Sequence, residues 1–239
     1  MPRKRIVFVI VEGPSDEEAL GTILNRYFDR NAVHVYVAHC DITSELSTTP
    51  SNVVAEIGGF IKNFAGRVFK SGDFSRIIHI VDMDGAFIPD DAIVEDSTTT
   101  KPIYSPTKIR AQRKASIENR NRRKRENLNR LVSTTSVWRI PYQIYYMSCN
   151  LDHALYGKLN STDEEKERDS YAFAIKYKED IPGFIKLVSE SNFSVMSGYS
   201  QSWQYIREGL HSLERHSNFG LCLKAKNDTE DILKIEPGQ

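Results

Sequence analysis

The chain has 239 residues, 40% hydrophobic and 27% charged, a composition that suits a soluble globular protein and excludes a fibrous or disordered one. Its 32 Lys and Arg balance 32 Asp and Glu, so any contact with nucleic acid must come from a local basic patch. Cys40, Cys149 and Cys222 are odd in number and far apart, which excludes a CxxC zinc pair and a disulfide framework and leaves buried reduced thiols.

No stretch approaches the roughly 20 apolar residues of a membrane span. The basic start Met-Pro-Arg-Lys-Arg leads into only six apolar residues before Glu12, which does not make a signal peptide. A bacterial-type cytoplasmic protein with no membrane partner is expected.

In chain order, Ile6-Val7-Phe8-Val9-Ile10-Val11 is a continuous apolar run, the mark of a strand buried on both faces. It ends in Glu12-Gly13-Pro14-Ser15-Asp16. Gly13-Pro14 makes a turn, and Ser15 or Asp16 is expected to cap a helix over 16–30, whose Ala19, Leu20, Ile23, Leu24, Tyr27 and Phe28 recur at helical spacing. Val33, Val35 and Val37 alternate as a second strand. A polar loop over 43–52 precedes a helix from Val53 to Phe69, ended by Gly72. Ile77-Ile78-His79-Ile80-Val81 is a third strand, running into Asp82-Met83-Asp84-Gly85.

Residues 86–107 read as an irregular surface excursion. Residues 108–130 carry ten Lys or Arg against Glu118 and Glu126, and read as an exposed helix. Gln143-Ile144-Tyr145-Tyr146-Met147 is a fourth strand, followed by Ser148-Cys149-Asn150-Leu151-Asp152-His153 at a helix start. Charged residues 161–169 read as a linker or helix tip, helical patterns follow near 180–190 and 200–217, and the tail after Asn227 reads as disordered. Alternating strands and helices predict a parallel sheet.

The acids fall at strand ends: Glu12 with Asp16, Asp82 with Asp84, and Asp152. In a parallel sheet these ends share one edge, where open α/β folds hold their ligands. Carboxylates converging there repel one another unless cations intervene. Asp82 and Asp84, two apart, project to the same side and can grip one ion. Oxygen-only donors suit Mg2+, which keeps water positions free for substrate phosphate.

At this point the sequence resembles the Toprim domain. The carriers are Glu12-Gly13-Pro14-Ser15-Asp16 and Asp82-Met83-Asp84, over roughly residues 5–158. Within that family it is similar to the OLD-type nucleases and the small RloB-like or AriB-like proteins of phage-defence systems, with a third acidic motif at Asn150-Leu151-Asp152-His153. The resemblance implies an α/β, Rossmann-like, mostly parallel four-stranded sheet flanked by helices over 1–158, with a basic insertion at about 86–132. A C-terminal helical extension over 159–227 and a tail over 228–239 complete the chain. It implies catalytic Glu12, Asp82 and Asp84, and Mg2+ or Mn2+ held by these with Asp16 and Asp152. The implied reaction is hydrolysis of a DNA or RNA phosphodiester, with Glu12 able to act in proton transfer. An ATPase partner and an oligomer also fit the family. The chain is too short to carry the tyrosine domain of a topoisomerase.

The basic stretch fits a nucleic-acid substrate. Lys108, Arg110, Arg113, Lys114, Arg120, Arg122, Arg123, Lys124 and Arg125, with Arg130, could meet several phosphates and give salt-dependent binding. Aromatic residues are scarce there, so base stacking is not expected. Trp203, Tyr205 and Ile206 read as core. Arg215 and His216 could reach a phosphate only from a helix end at the sheet edge, and His153 could support Asp152.

Two alternatives stand beside the nuclease. Ile80-Val81-Asp82-Met83-Asp84-Gly85-Ala86 resembles the first motif of haloacid-dehalogenase phosphatases, in which Asp82 would be the nucleophile. Against it, Ala86 stands where that family has Thr or Val, the motif follows two βα units, and no Gly-Asp-x-x-x-Asp run follows. The other alternative is a non-cutting module that binds nucleic acid or a partner and is activated by an ATPase. No Gly-Lys-Ser/Thr run supports a P-loop.

Overall fold

The computed structural model describes residues 4–28 and 33–223. Its main sheet has five strands: β1 (Arg5–Val11), β2 (Val33–His39), β3 (Phe74–Asp82), β7 (Ser136–Val137) and β8 (Ile140–Met147), in the order β2-β1-β3-β8-β7. The first four in that order pair in parallel. The four-stranded expectation is therefore one strand short. β7 pairs antiparallel with β8 across Trp138-Arg139, both with positive φ, as a two-residue hairpin loop demands. A strand of only Ser136 and Val137 carries no period for a sequence to reveal.

Alternation along β1 sends its side chains to two cores. Ile6, Phe8 and Ile10 pack with α2 (Val53–Ala65), α3 (Lys114–Val132) and α6 (Tyr199–Tyr205). Val7, Val9 and Val11 pack with α1 (Pro14–Tyr27), α4 (Asp163–Tyr177) and α5 (Ile181–Glu190). The result is an α/β protein with helices on both faces of a mostly parallel sheet. None of the described helices is long and apolar enough to cross a membrane.

Several boundaries differ from expectation. α1 begins at Pro14, with Gly13 as its cap. Asp16 contributes from the third helical position, its carboxylate accepting the Gly13 N–H at 2.9 Å. α2 ends at Ala65, with Gly66 (φ +54) after it, rather than at Gly72. Residues 161–169 open α4, capped by Thr162.

The excursion at 86–107 is not irregular. β4 (Ile93–Glu95) and β5 (Ile103–Tyr104) join β6 (Ile109–Ala111) in a small sheet over Ile88, Ile117 and Leu213. The basic stretch is thus a strand followed by α3, and α3 is not an exposed helix. Ile117, Asn121, Lys124, Leu128 and Leu131 form a buried stripe on it. After α6 the expected helix does not continue: the chain runs as turns to Ser217, which bridges to Met147 and Ser194, and turns helical again only at Gly220. Residues 228–239 lie outside the described residues.

Candidate functional site

The C-terminal ends of the parallel strands open into a cavity of about 630 Å3. Glu12 follows β1, Asp82 closes β3, Asp84 lies two residues on, and Asp152 opens the π-helical turn Asp152–Tyr156 after β8. Asp16 enters from the first turn of α1. All five expected acids line this one cavity. So do Asp41, just after β2, and Glu18, Asp163 and Glu167 from the helices, with Lys166 the one cation among the described lining residues.

The acid-bearing turns are held by backbone. Asp84 sits in the left-handed region (φ 49), which aspartate tolerates better than most residues, and Cys149 does too (φ 56). The Asp84 N–H donates to the Cys149 carbonyl at 2.7 Å, and the Met83 N–H to the Met147 carbonyl at 2.9 Å. The Ser212 carbonyl accepts from both Gly85 and Cys149 at 3.1 Å, tying the two turns together. Strain at two adjacent non-glycine residues persists here because several bonds over-determine it. Asp82 accepts the Leu151 N–H at 3.0 Å, at the start of the turn that carries Asp152.

Helix α3 reaches into the site. The Lys124 ammonium is fully buried and lies 3.0 Å from a Glu12 carboxylate oxygen and 2.5 Å from an Asp84 oxygen. The other Glu12 oxygen accepts from the Thr43 hydroxyl at 2.9 Å. Asn127 secures that loop by donating to the Thr43 and Thr48 carbonyls. Arg120 donates to the Asp84 carbonyl at 2.7 Å and to the Tyr104 hydroxyl, and Asn121 donates to the Gly85 carbonyl at 3.0 Å. Arg123 donates to the Ser44 carbonyl.

Burial pushes the Glu12 carboxyl up to about 8, against the pull of Lys124 and with the push of Asp41 and Asp84. Burial likewise raises Asp16 to about 6, and raises Asp82 well above the carboxylate range, with Asp16 and Glu12 adding to it. Asp152 is raised by burial as well. Asp84 alone of the five is lowered: burial opposes its charge, but Lys124 and Arg120 outweigh it. Lys124 is raised despite burial by Asp84 and Glu12. The cluster therefore holds one buried ammonium against five carboxylates, four of which resist ionisation.

The all-oxygen donor set fits a hard divalent cation. Among the described residues no three of His, Cys, Asp and Glu stand closed around one point as ligands. Lys124 occupies the gap between Glu12 and Asp84, while Asp152 is 5% exposed and its carboxylate faces the cavity without a hydrogen bond.

The expected nucleic-acid residues divide into two groups. Arg120, Arg123 and Lys124 are spent inside on the site and its loop. Arg110 pairs with Asp96 and Lys114 with Glu118. Lys108, Arg113, Arg122 and Arg130 are exposed and Arg125 is half-buried. Arg215 is directed to the carbonyls of Ala154 and Leu155, and His216 to Tyr205 and Glu214, so neither lines the cavity. His153 is buried with Nδ1 unpartnered, also away from the lining.

Sequence reasoning gave Lys124 to a phosphate-binding surface rather than to the acid cluster, and missed Thr43 and Asp41 as members of the site. The signal for Lys124 was its place on the 117/121/124/128/131 stripe. Asp41 follows its strand as the other acids follow theirs.

Family models, curated proteins and solved structures give no match to this chain.

Proposed function

We propose that this chain is a Toprim-type, Mg2+- or Mn2+-dependent nuclease that hydrolyses DNA or RNA phosphodiester bonds, acting in bacterial anti-phage defence in the cytoplasm. The observation that carries the reading is the convergence of Glu12, Asp16, Asp82, Asp84 and Asp152 on one cavity at the carboxyl edge of a parallel sheet. These carboxylates would hold the metal. Bound there, it would neutralise phosphoryl charge and activate water for attack.

The chain's own groups supply the rest. Glu12, raised to about 8, exchanges a proton near neutral pH, where a general acid or base works best. Lys124 and Thr43 fix its two oxygens in place. Arg120 and Asn121 hold the Asp84–Gly85 backbone against the strand end. Lys166 stands at the cavity as a contact for a substrate phosphate. The exposed cations of the β6–α3 region extend the phosphate-binding surface.

A second reading draws on the Lys124 bridge: a Toprim module that is silent until an ATPase partner engages it. The test is a cleavage panel of supercoiled plasmid, single-stranded DNA, structured RNA and transfer RNA with Mg2+ or Mn2+. Cutting that is abolished by EDTA, Glu12→Ala and Asp82→Ala is the expected result and names the substrate. No cutting of any substrate contradicts the nuclease and leaves the partner-dependent module.

A further inference from the structure

The loop between β2 and α2 carries the most exposed large apolar side chain among the described residues. Leu46 is 82% exposed, while Ile42, Thr43 and Thr48 around it are buried. A single exposed leucine is ordinary on a protein surface. This one stands on a loop fastened from several sides.

The Thr48 N–H donates to the Glu45 carbonyl at 3.1 Å, closing a turn with Leu46 and Ser47 at its corners. Asn127 of α3 donates to the Thr43 and Thr48 carbonyls at 3.0 and 3.3 Å, gripping both legs of the loop. Asn52 donates to the Ser47 carbonyl and Arg123 to the Ser44 carbonyl, both at 3.0 Å. The exposure of Leu46 is therefore built into a braced frame rather than left by slack chain.

Two features aim the loop at the nucleic-acid site. The Thr43 hydroxyl donates to Glu12 at 2.9 Å, and Asp41 lines the cavity. Three residues of chain span at most about 11 Å, so Leu46 lies within about three nucleotide steps of Thr43. Arg123 spends its Nε on Ser44, and its two terminal nitrogens have no partner among the described residues. A guanidinium so placed beside an apolar tip suits the phosphate that flanks an opened base step. Glu45 and Ser47, on either side of the tip, are exposed and can meet base edges.

We propose that Leu46 is an apolar wedge that enters the base stack of the nucleic-acid substrate and opens one step near the cut, while Arg123 holds the adjoining phosphate. The proposal rests on the nuclease reading above and deepens it. The substrate class it names is a helical nucleic acid with a step that opens at low cost, such as a bulge, a mismatch or a strand junction.

The test compares the wild type with Leu46→Ala and Leu46→Phe, whose melting temperatures should agree because the side chain lies in solvent. Each protein is bound to DNA and RNA duplexes that carry a bulge flanked by 2-aminopurine, with Ca2+ in place of Mg2+, and binding is followed by the anisotropy of an end label. 2-Aminopurine brightens when it is unstacked. The wild type and Leu46→Phe should brighten the probe several-fold, and Leu46→Ala should bind without brightening it. Wild-type binding without brightening, or equal brightening by Leu46→Ala, overturns the wedge and leaves the nuclease reading standing. With Mg2+, Leu46→Ala should raise the ratio of single-strand to duplex cutting by at least about tenfold, the scale of no longer burying one leucine side chain. An unchanged ratio also overturns the wedge alone, whereas a wild type that cuts nothing overturns the nuclease and the wedge with it.

Discussion

Replacing Lys124 with methionine leaves Glu12 and Asp84 facing each other in a buried site with no cation between them. Removing one partner of a buried ion pair typically costs about 3–5 kcal/mol, because the charge left behind is uncompensated. The methionine fills most of the space, so a cavity adds little. In a chain of this size each kcal/mol moves the melting temperature by about 2–4 °C, so a fall of about 6–20 °C is expected in EDTA. The deficit should shrink as pH falls from 8 towards 5. Burial raises the folded-state pKa of Glu12 above its unfolded value, so its protonated form favours the fold, and that stabilisation is lost as pH rises through about 8. Adding Glu12→Gln to Lys124→Met should recover part of the loss, since one of the two orphaned charges is then gone. Differential scanning calorimetry of the four proteins of this cycle reads every term. A Lys124→Met chain that melts with the wild type in EDTA would refute the buried bridge.

Other consequences follow from groups around the site. His79 is fully buried on β3, bonded to the Tyr142 hydroxyl at 2.7 Å, and held neutral by burial, with its pKa lowered to about 3. The unfolded chain takes up a proton below about pH 6.5 that the folded one refuses, so lowering the pH to 5 should cost about 2 kcal/mol. Urea titrations at pH 7 and pH 5 should show that loss of unfolding free energy in the wild type and not in His79→Gln; an equal loss in the two proteins would refute it. Gly85 has φ +69, and an added Cβ would lie 2.8 Å from Leu213 Cδ2 and 3.0 Å from Ile109 Cδ1, so Gly85→Ala should destabilise by about 1–3 kcal/mol in the same titration. Arg215→Ala removes donors to Ala154 and Leu155 at the end of the Asp152 turn. Faster amide exchange confined to 148–157, with slower cleavage, is expected from hydrogen-exchange mass spectrometry and the nuclease assay, and Arg215→Lys should restore part of both.

The strand ends were the most legible part of the chain. Apolar runs at 6–11, 77–81 and 143–147 are long enough to fix buried strands, and each acid that follows one is delivered to the same edge by parallel pairing alone. Helices with a full apolar stripe, such as α1 and α2, were also legible. Short elements were not: β4, β5, β6 and β7 span two or three residues each, too few for a period-2 alternation to repeat. The role of α3 was hidden for a different reason. Its buried face includes Asn121, Lys124 and Asn127, whose burial depends on partners 36 to 112 residues away in sequence, so charge counting assigned to solvent what the fold spends on Glu12, Asp84 and Gly85. The coil at 206–217 was misjudged likewise. Its apolar members have helical spacing, yet its backbone is drawn out to bond Gly85, Ser148 and Cys149.

The most direct test of the account is metal-dependent cleavage by the wild type and Asp82→Asn, purified identically and assayed side by side on the same nucleic-acid substrate with Mg2+. The account predicts cutting by the wild type that EDTA abolishes, and a loss of at least about 100-fold in Asp82→Asn, the scale of removing one preorganised charge from a reacting site. Equal cutting by the two proteins, or cutting that survives EDTA, would contradict it.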